Sequence, residues 1–212
     1  MISISHRGYW LNPSEENSMI AFKRSFSQGY GTETDIRDYC GELVISHDLP
    51  SKNSLKFEDF LDLFVRYDHR LPLALNIKSD GLAKYINEFL KFYKVDNYFC
   101  FDMSIPDSIN YFEVDMNVFM RRSEYEVDNQ LYSHAKGIWL DSFSVNSLDC
   151  RDIVRYMELG KKVCIVSPEL HRRDESKVWQ DIKSLSEEYF YSEQLMLCTD
   201  KIEKVVDYFY EK

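Results

Sequence analysis

Four side chains in the first quarter of the chain are of types that can work on one substrate: His6, Glu33, Asp35 and His47. Each stands within or at the end of a short run of apolar or β-branched residues, the pattern of an extended strand. A histidine with an ordinary pKa of about 6.5 can give or take a proton at neutral pH, so His6 and His47 are candidates for proton transfer. Glu33 and Asp35 lie two residues apart, and on a strand they project to the same face. Two acids on one face of an internal strand are costly to bury unless they meet a cation. Their oxygens are hard ligands, suited to Mg²⁺ or Ca²⁺ and not to a thiophilic metal. Taken singly, each residue has an ordinary explanation: a satisfied histidine at a strand end, or a structural ion pair of the acids with Arg7, Arg37 or Lys78. Their company at strand ends favours the chemical reading. His69, His134 and His171 lack such neighbours in the sequence and read as surface or loop residues.

Groups from successive strands converge on one atom only if the strands lie side by side, as at the mouth of a parallel barrel. Strand patterns are read at 1–5, 31–37, 71–78, 98–103, 118–121, 136–140, 162–166 and 195–198, with 42–46 as a hairpin return after a turn at 40–42. Helical patterns fall between them, at 16–28, 57–67, 82–93, 105–112, 147–159, 176–189 and 201–210. Asn17 or Ser14 is the expected cap of the first helix and Gly29 its stop. Met19, Phe22 and Phe26 form one apolar stripe on it. Eight strands alternating with helices predict an α/β fold with a parallel sheet, and the count favours a (β/α)₈ TIM barrel. At 212 residues the chain is expected to form a single domain spanning 1–212. A complete barrel usually takes roughly 250 residues and at least about 200, so this one would be compact, without a large insertion.

A formal net charge of −10 and a pI near 5.0 argue against a general nucleic-acid binder. A small anionic substrate is compatible with that balance where positive charge is local. No run is long enough to span a bilayer, and residues 2–5 lead straight into the first motif, which predicts no secretory leader. Cys40, Cys100, Cys150, Cys164 and Cys198 are dispersed, odd in number and without zinc spacing. They read as reduced, mostly core residues of a cytoplasmic protein. Oligomeric state is left open.

In order and at their spacing, His6-Arg7-Gly8, Glu16-Asn17-Ser18, Ala21-Phe22, Gly29, Glu33-Thr34-Asp35 and His47-Asp48 resemble the glycerophosphodiester phosphodiesterase family. Its opening pattern is His-Arg-Gly, then Pro-Glu-Asn-Ser/Thr before a helix, Glu-x-Asp and His-Asp. The motifs cover the first quarter of the chain; beyond it only the alternation of strands and helices matches. Family members often carry an extra loop or small domain between the second and third barrel strands, where this chain has only residues 49–71, so the mouth is expected to be open.

The resemblance implies metal-assisted hydrolysis of a small phosphodiester, a glycerophosphodiester giving glycerol 3-phosphate and an alcohol. His6 and His47 would be the acid and base, with a substrate hydroxyl beside the phosphate commonly proposed to attack it. Glu33 and Asp35 would hold the divalent metal, and Arg7 and Lys78 would clamp the phosphate. Two departures stand out: Pro13 sits two residues early, and a strand that should end Glu-Ile-Lys ends Asn76-Ile77-Lys78. Asn76 is therefore the expected third metal ligand without its charge, and Asp102, at the end of the next strand in a Ser-Phe-Asp-like segment, is the candidate to compensate. Glu124 and Asp141 also end strands, with loop solvation as their default reading. Tyr9, Trp10 and Trp139 could line a pocket for the alcohol, although an aromatic beside a strand is more often core. Two other outcomes fit the same residues: a lyase that stops at a cyclic phosphate, as in the similar sphingomyelinase D-type enzymes, or a barrel that only binds an organophosphate.

Overall fold

The computed structural model describes residues 1–145 and 147–210. The chain packs as two compact units, Ser5–Val118 and Met1–Ile4 with Phe119–Lys212. In chain order it opens with β1 (Ile2–Ser5), a 3₁₀ turn over Pro13–Glu15, α1 (Met19–Ser27), β2 (Gly31–Tyr39), β3 (Glu42–Ile45), β4 (Leu55–Lys56) and α2 (Phe57–Phe64). There follow β5 (Leu73–Ile77), α3 (Ala83–Tyr93), β6 (Tyr98–Phe101) and α4 (Ile105–Glu113).

In the unit Ser5–Val118, β2 lies between β5 and β3 and pairs with both. It runs parallel to β5, with Thr32 opposite Leu73 and Asp35 opposite Asn76, and β5 runs parallel to β6. Its far half pairs antiparallel with β3, Tyr39 opposite Glu42, and β4 adds to β3. Only Cys40 and Gly41 connect β2 to β3, both with positive φ, 51° and 85°. That is the backbone of a two-residue type I′ hairpin, whose twist matches the strands it joins.

Helix α1 begins three residues later than its sequence pattern suggests. Ser18 is the N-cap, its hydroxyl accepting from the Ala21 amide, while Asn17 is held at φ 54°. The reason is local: Glu16 and Asn17 are engaged elsewhere, as described below, and cannot take helical geometry. Helices α1 and α2 are joined by aromatic rings, with Phe22 and Phe60 edge to face at 4.7 Å and Phe26 against Phe64 at 5.2 Å. Phe22, Phe57, Phe60 and Phe64 are fully buried. A chain of buried hydroxyls fastens α1 to the strands, from Ser5 to Ser25 and from Ser25 to Thr32, each 2.7 Å.

Gly8 lies where the chain crosses the first turn of α1. Its φ is +83°, and a Cβ there would stand 3.0 Å from both the carbonyl carbon and the Cβ of Ala21. The Tyr9 amide donates to the Ala21 carbonyl at 3.1 Å across the same crossing. Only glycine combines that backbone angle with that approach.

In the other unit, β7 (Phe119–Arg122), β8 (Gly137–Leu140), β9 (Lys162–Val166) and β10 (Leu195–Thr199) pair in parallel, in that order, with β1 beside β10. Between them run α5 (Cys150–Glu158), α6 (Ser176–Lys183) and α7 (Glu187–Phe190), and α8 (Ile202–Tyr210) closes the described chain. The expected helix at 147–159 starts only at Cys150, because Asp149 caps it by accepting from the Arg151 amide at 3.0 Å. The expected helix at 176–189 is two helices. The Ser184 hydroxyl donates back to the Asp181 carbonyl at 2.6 Å, and Ser186 is extended at the start of the next helix. Serines that bond their own backbone compete with a helix interior.

All five cysteines are free thiols, and among the described residues no helix is long and apolar enough to cross a membrane. Because Phe60 is enclosed by Phe22, Phe26 and Phe57, Phe60→Ala should lower the unfolding free energy by about 3–5 kcal/mol. Urea denaturation measures it, and a loss under about 1 kcal/mol would mean that the ring cluster does not hold α1 to α2.

Candidate active site

The site grows from one row of side chains on β2. Glu33, Asp35 and Arg37 alternate with Thr34 and Ile36 and so share a face. The parallel register sets Asn76 directly opposite Asp35, which puts the carboxylate and the amide side by side. Three of the four candidate ligands are buried, Glu33 and Asp35 at 0 % exposure and Asn76 at 7 %, while Asp102 is half-buried.

Positive charge reaches this row from two loops. Arg7 follows β1 at φ 54°, a left-handed conformation that costs a non-glycine residue roughly 1–2 kcal/mol. The turn aims its main-chain N–H at Glu33 Oε2, 3.1 Å away, and brings its Nε to 3.2 Å from Asp35 Oδ2. Its Nη1 donates to Glu16 Oε2 at 2.5 Å. Lys78, one residue past β5, brings Nζ to 3.5 Å from Asp35 Oδ1 and 3.8 Å from Asp102 Oδ2. Asp102 follows β6 at φ 68°. Lys78 thus lies between Asp35 and Asp102.

Glu33 Oε1, Asp35 Oδ1 and Asn76 Oδ1 are among the buried oxygens without a hydrogen-bond donor. Buried acceptors are rarely left so. These oxygens come from three of the four residues that the sequence nominates as metal ligands, Asp102 being the fourth, and all are hard oxygens, so the donor set fits a divalent cation of the Mg²⁺ or Ca²⁺ kind. Among the described residues no three His, Cys, Asp or Glu side chains gather as a metal-holding group; the third donor of this set is the neutral amide of Asn76. Burial, first, and the neighbouring Asp35 charge push the Glu33 carboxyl above its ordinary value, against the pull of His6, Lys78 and Arg7.

The two histidines differ in setting. His6 directly follows β1, and its Nε2 lies 3.8 Å from Glu33 Oε2. The Trp10 indole N–H donates to the His6 carbonyl at 3.1 Å, which gives Trp10 a part in shaping this loop. His47, two residues past β3, is the more exposed, with Nδ1 at 2.9 Å from Asp48 Oδ1. A carboxylate at Nδ1 favours the tautomer with its proton there and the lone pair on Nε2. A cavity of about 500 Å³ lies against Arg7 and His47, lined also by Asn17, Ser46, Asn53 and Ser54.

All eight residues nominated by the sequence lie in the unit Ser5–Val118. Asn17, read from the sequence as a helix cap, bonds both strand residues instead: its Nδ2 donates to Asp35 Oδ2 at 2.8 Å and its Oδ1 accepts from the Thr34 hydroxyl at 2.9 Å. The signal was present in the Glu16-Asn17-Ser18 motif, but capping chemistry explained it too readily. Residues of the other unit behave otherwise. Glu124 accepts the amides of Phe143, Ser144 and Val145, which orders that loop. His171, expected to stand alone, bonds Asp141 through Nε2 at 2.7 Å. Trp139 is core, with 4 % exposed.

No protein-family model matches the sequence, and neither does any curated protein. Solved structures do share the fold. A glycerophosphodiester phosphodiesterase from Agrobacterium tumefaciens superposes over 98 % of this chain and 98 % of its own with a TM-score of 0.72 at 14 % identity. The glycerophosphodiester phosphodiesterase from Thermotoga maritima covers 98 % and 97 %, with a TM-score of 0.70 at 16 % identity. A Ca²⁺-dependent phosphatidylinositol-specific phospholipase C from Streptomyces antibioticus covers 100 % and 96 %, at 0.59 and 9 %.

The raised Glu33 carboxyl has a defined consequence for stability. A buried acid that holds its proton more tightly in the folded than in the unfolded chain destabilises the fold progressively as pH climbs above its ordinary value of 4.5. Without added metal, Glu33→Gln should therefore stabilise the protein more at pH 8 than at pH 5. Urea unfolding at the two pH values reads the difference, and an equal effect at both would show that Glu33 carries no such penalty.

Proposed function

We propose that the chain is a single-domain, trimmed (β/α)₈ barrel enzyme that hydrolyses a small phosphodiester, most simply a glycerophosphodiester, to glycerol 3-phosphate and an alcohol. One observation carries the reading: three buried, donorless oxygens of Glu33, Asp35 and Asn76 stand beside two cationic side chains, with the two histidines of the resembled motif on the adjoining chain ends. The likeness to solved phosphodiesterases supports it at the level of fold. The free thiols support a cytoplasmic setting.

Each group has a task that its chemistry suits. Arg7 and Lys78 neutralise the non-bridging phosphate oxygens, where charge grows in the transition state. Of His6 and His47, one takes the proton of the attacking substrate hydroxyl and the other gives a proton to the departing alkoxide, leaving a cyclic phosphate; with the roles reversed, water then opens the ring to glycerol 3-phosphate. Glu33, Asp35 and Asn76 would hold Mg²⁺ or Ca²⁺. When bound, such an ion supplies Lewis-acid polarisation of a phosphoryl oxygen. Asp102 and Glu16 limit the reach of Lys78 and Arg7 by pairing with them, so both clamps stay near Asp35.

His6→Ala and His47→Ala should each reduce kcat by about 10²- to 10⁴-fold with little change in melting temperature. The assay is turnover of glycerophosphodiesters with added Mg²⁺ or Ca²⁺, with phosphorus NMR separating glycerol 3-phosphate from a cyclic product. Near-normal turnover in either variant removes that histidine from the reaction, and no product with any diester overturns the reading.

An amide brings no charge to a metal, so Asn76→Glu should lower the metal concentration that gives half-maximal activity, and Asp102→Asn should raise it. Identical metal titrations in wild type and both variants would place neither position at the ion.

A further inference from the structure

We propose that Arg37 is a positioning residue, holding the chain ends that carry His47 and Lys78 through their main-chain carbonyls; the inference rests on the roles proposed above for those two side chains. Strand β3 leads into His47 and β5 into Lys78. Both pair with β2 and not with each other, and main-chain bonds tie them to β2 as far as the Ser46 amide, 3.1 Å from the Asp35 carbonyl, and the Lys78 amide, 2.9 Å from the Ile36 carbonyl. The sheet thus holds each chain end to β2 but makes no bond from one end to the other. Arg37 links them from the strand they share.

Its guanidinium meets the His47 carbonyl twice, through Nε at 3.2 Å and Nη2 at 3.1 Å, and the Lys78 carbonyl once, through Nη1 at 3.0 Å. A planar fork with five donors in fixed directions can make these bonds at once. The carboxylate two residues before it takes its positive charge from Arg7 and Lys78, so Arg37 serves the geometry of the site through the main chain. The choice of residue also follows. A lysine ammonium is a point charge on a flexible stem and cannot span two carbonyls in this orientation.

Because the His47 bonds are exposed and the Lys78 bond only partly buried, water can replace the lost donors, and the fold should survive the loss. Placement should not. A displacement of about 1 Å at a reacting group can cost on the order of 10²-fold in rate.

The test is kinetic and spectroscopic together. Arg37→Ala should lower kcat about 10²-fold and raise KM, with the melting temperature falling by no more than about 4 °C. Millimolar guanidinium should restore much of the lost kcat, and Arg37→Lys should recover less than guanidinium does. On a His47→Ala background the kcat effect of Arg37→Ala should shrink to the part that acts through Lys78, since the part acting through His47 has nothing left to position. Unchanged kcat, or a loss that persists in full on that background, overturns the proposal.

If wild type turns over no phosphodiester, the function proposed above fails, and the role of Arg37 is read without turnover. Amide hydrogen exchange should then quicken in segments 46–49 and 77–80 of Arg37→Ala, and the His47 ring signals in NMR should broaden or split. Wild-type exchange and ring signals in that variant overturn the positioning role independently of activity.

Discussion

Two carboxylates buried side by side on β2 are the constraint that the rest of this site answers to. An ionised carboxylate taken out of water loses several kcal/mol even after relaxation. An opposite charge at about 4 Å returns only about 4 kcal/mol at an effective dielectric of 20. Glu33 and Asp35, with no exposed surface, therefore need more than one partner each. The surrounding loops supply them: the left-handed turn at Arg7, the close crossing at Gly8, the strand-directed Asn17 and the lysine past β5. Several of these are locally unfavourable backbone states that persist because the packed surroundings hold them.

The compensation is incomplete in an informative way. Each carboxylate has one oxygen that accepts N–H hydrogen bonds and one that accepts none, although Lys78 Nζ stands 3.5 Å from Asp35 Oδ1. Were the pair only a structural ion pair, selection for stability would favour donors on both. The upward shift of Glu33 expresses the same deficit as a protonation preference. Further positive charge at these oxygens would offset the remaining deficit, which is what the proposed divalent ion would supply.

The sequence carried the parts of this site that depend on spacing. A period of two put Glu33 and Asp35 on one face, and runs of β-branched and apolar residues located the strands within a few positions. What it could not carry depends on distance across the fold. Nothing near Asn17 distinguishes a helix cap from a ligand of Asp35, because the same side-chain amide serves both uses. Arg37 read as an ion-pair partner, since a guanidinium two residues from a carboxylate ordinarily is one; its carbonyl contacts arise from two chain ends separated from it by 10 and 41 residues. His171 seemed alone because Asp141 lies 30 residues away. Helix ends shifted wherever a serine or aspartate bonded its own backbone, a competition that apolar periodicity does not register.

The two-residue turn at Cys40 and Gly41 has a consequence for how such a site can change over time. A parallel strand end can drift by small adjustments in the helix that precedes it, but β3 is tied to β2 by the shortest connection a hairpin permits. Its register is thus all-or-none: one residue added or removed there would invert which face each following side chain occupies. The placement of His47 cannot be tuned gradually from that side. Variation that preserves the imidazole must enter through the chain beyond Asp48, where length is free, so divergence in this region should accumulate as insertions after the histidine and not before it.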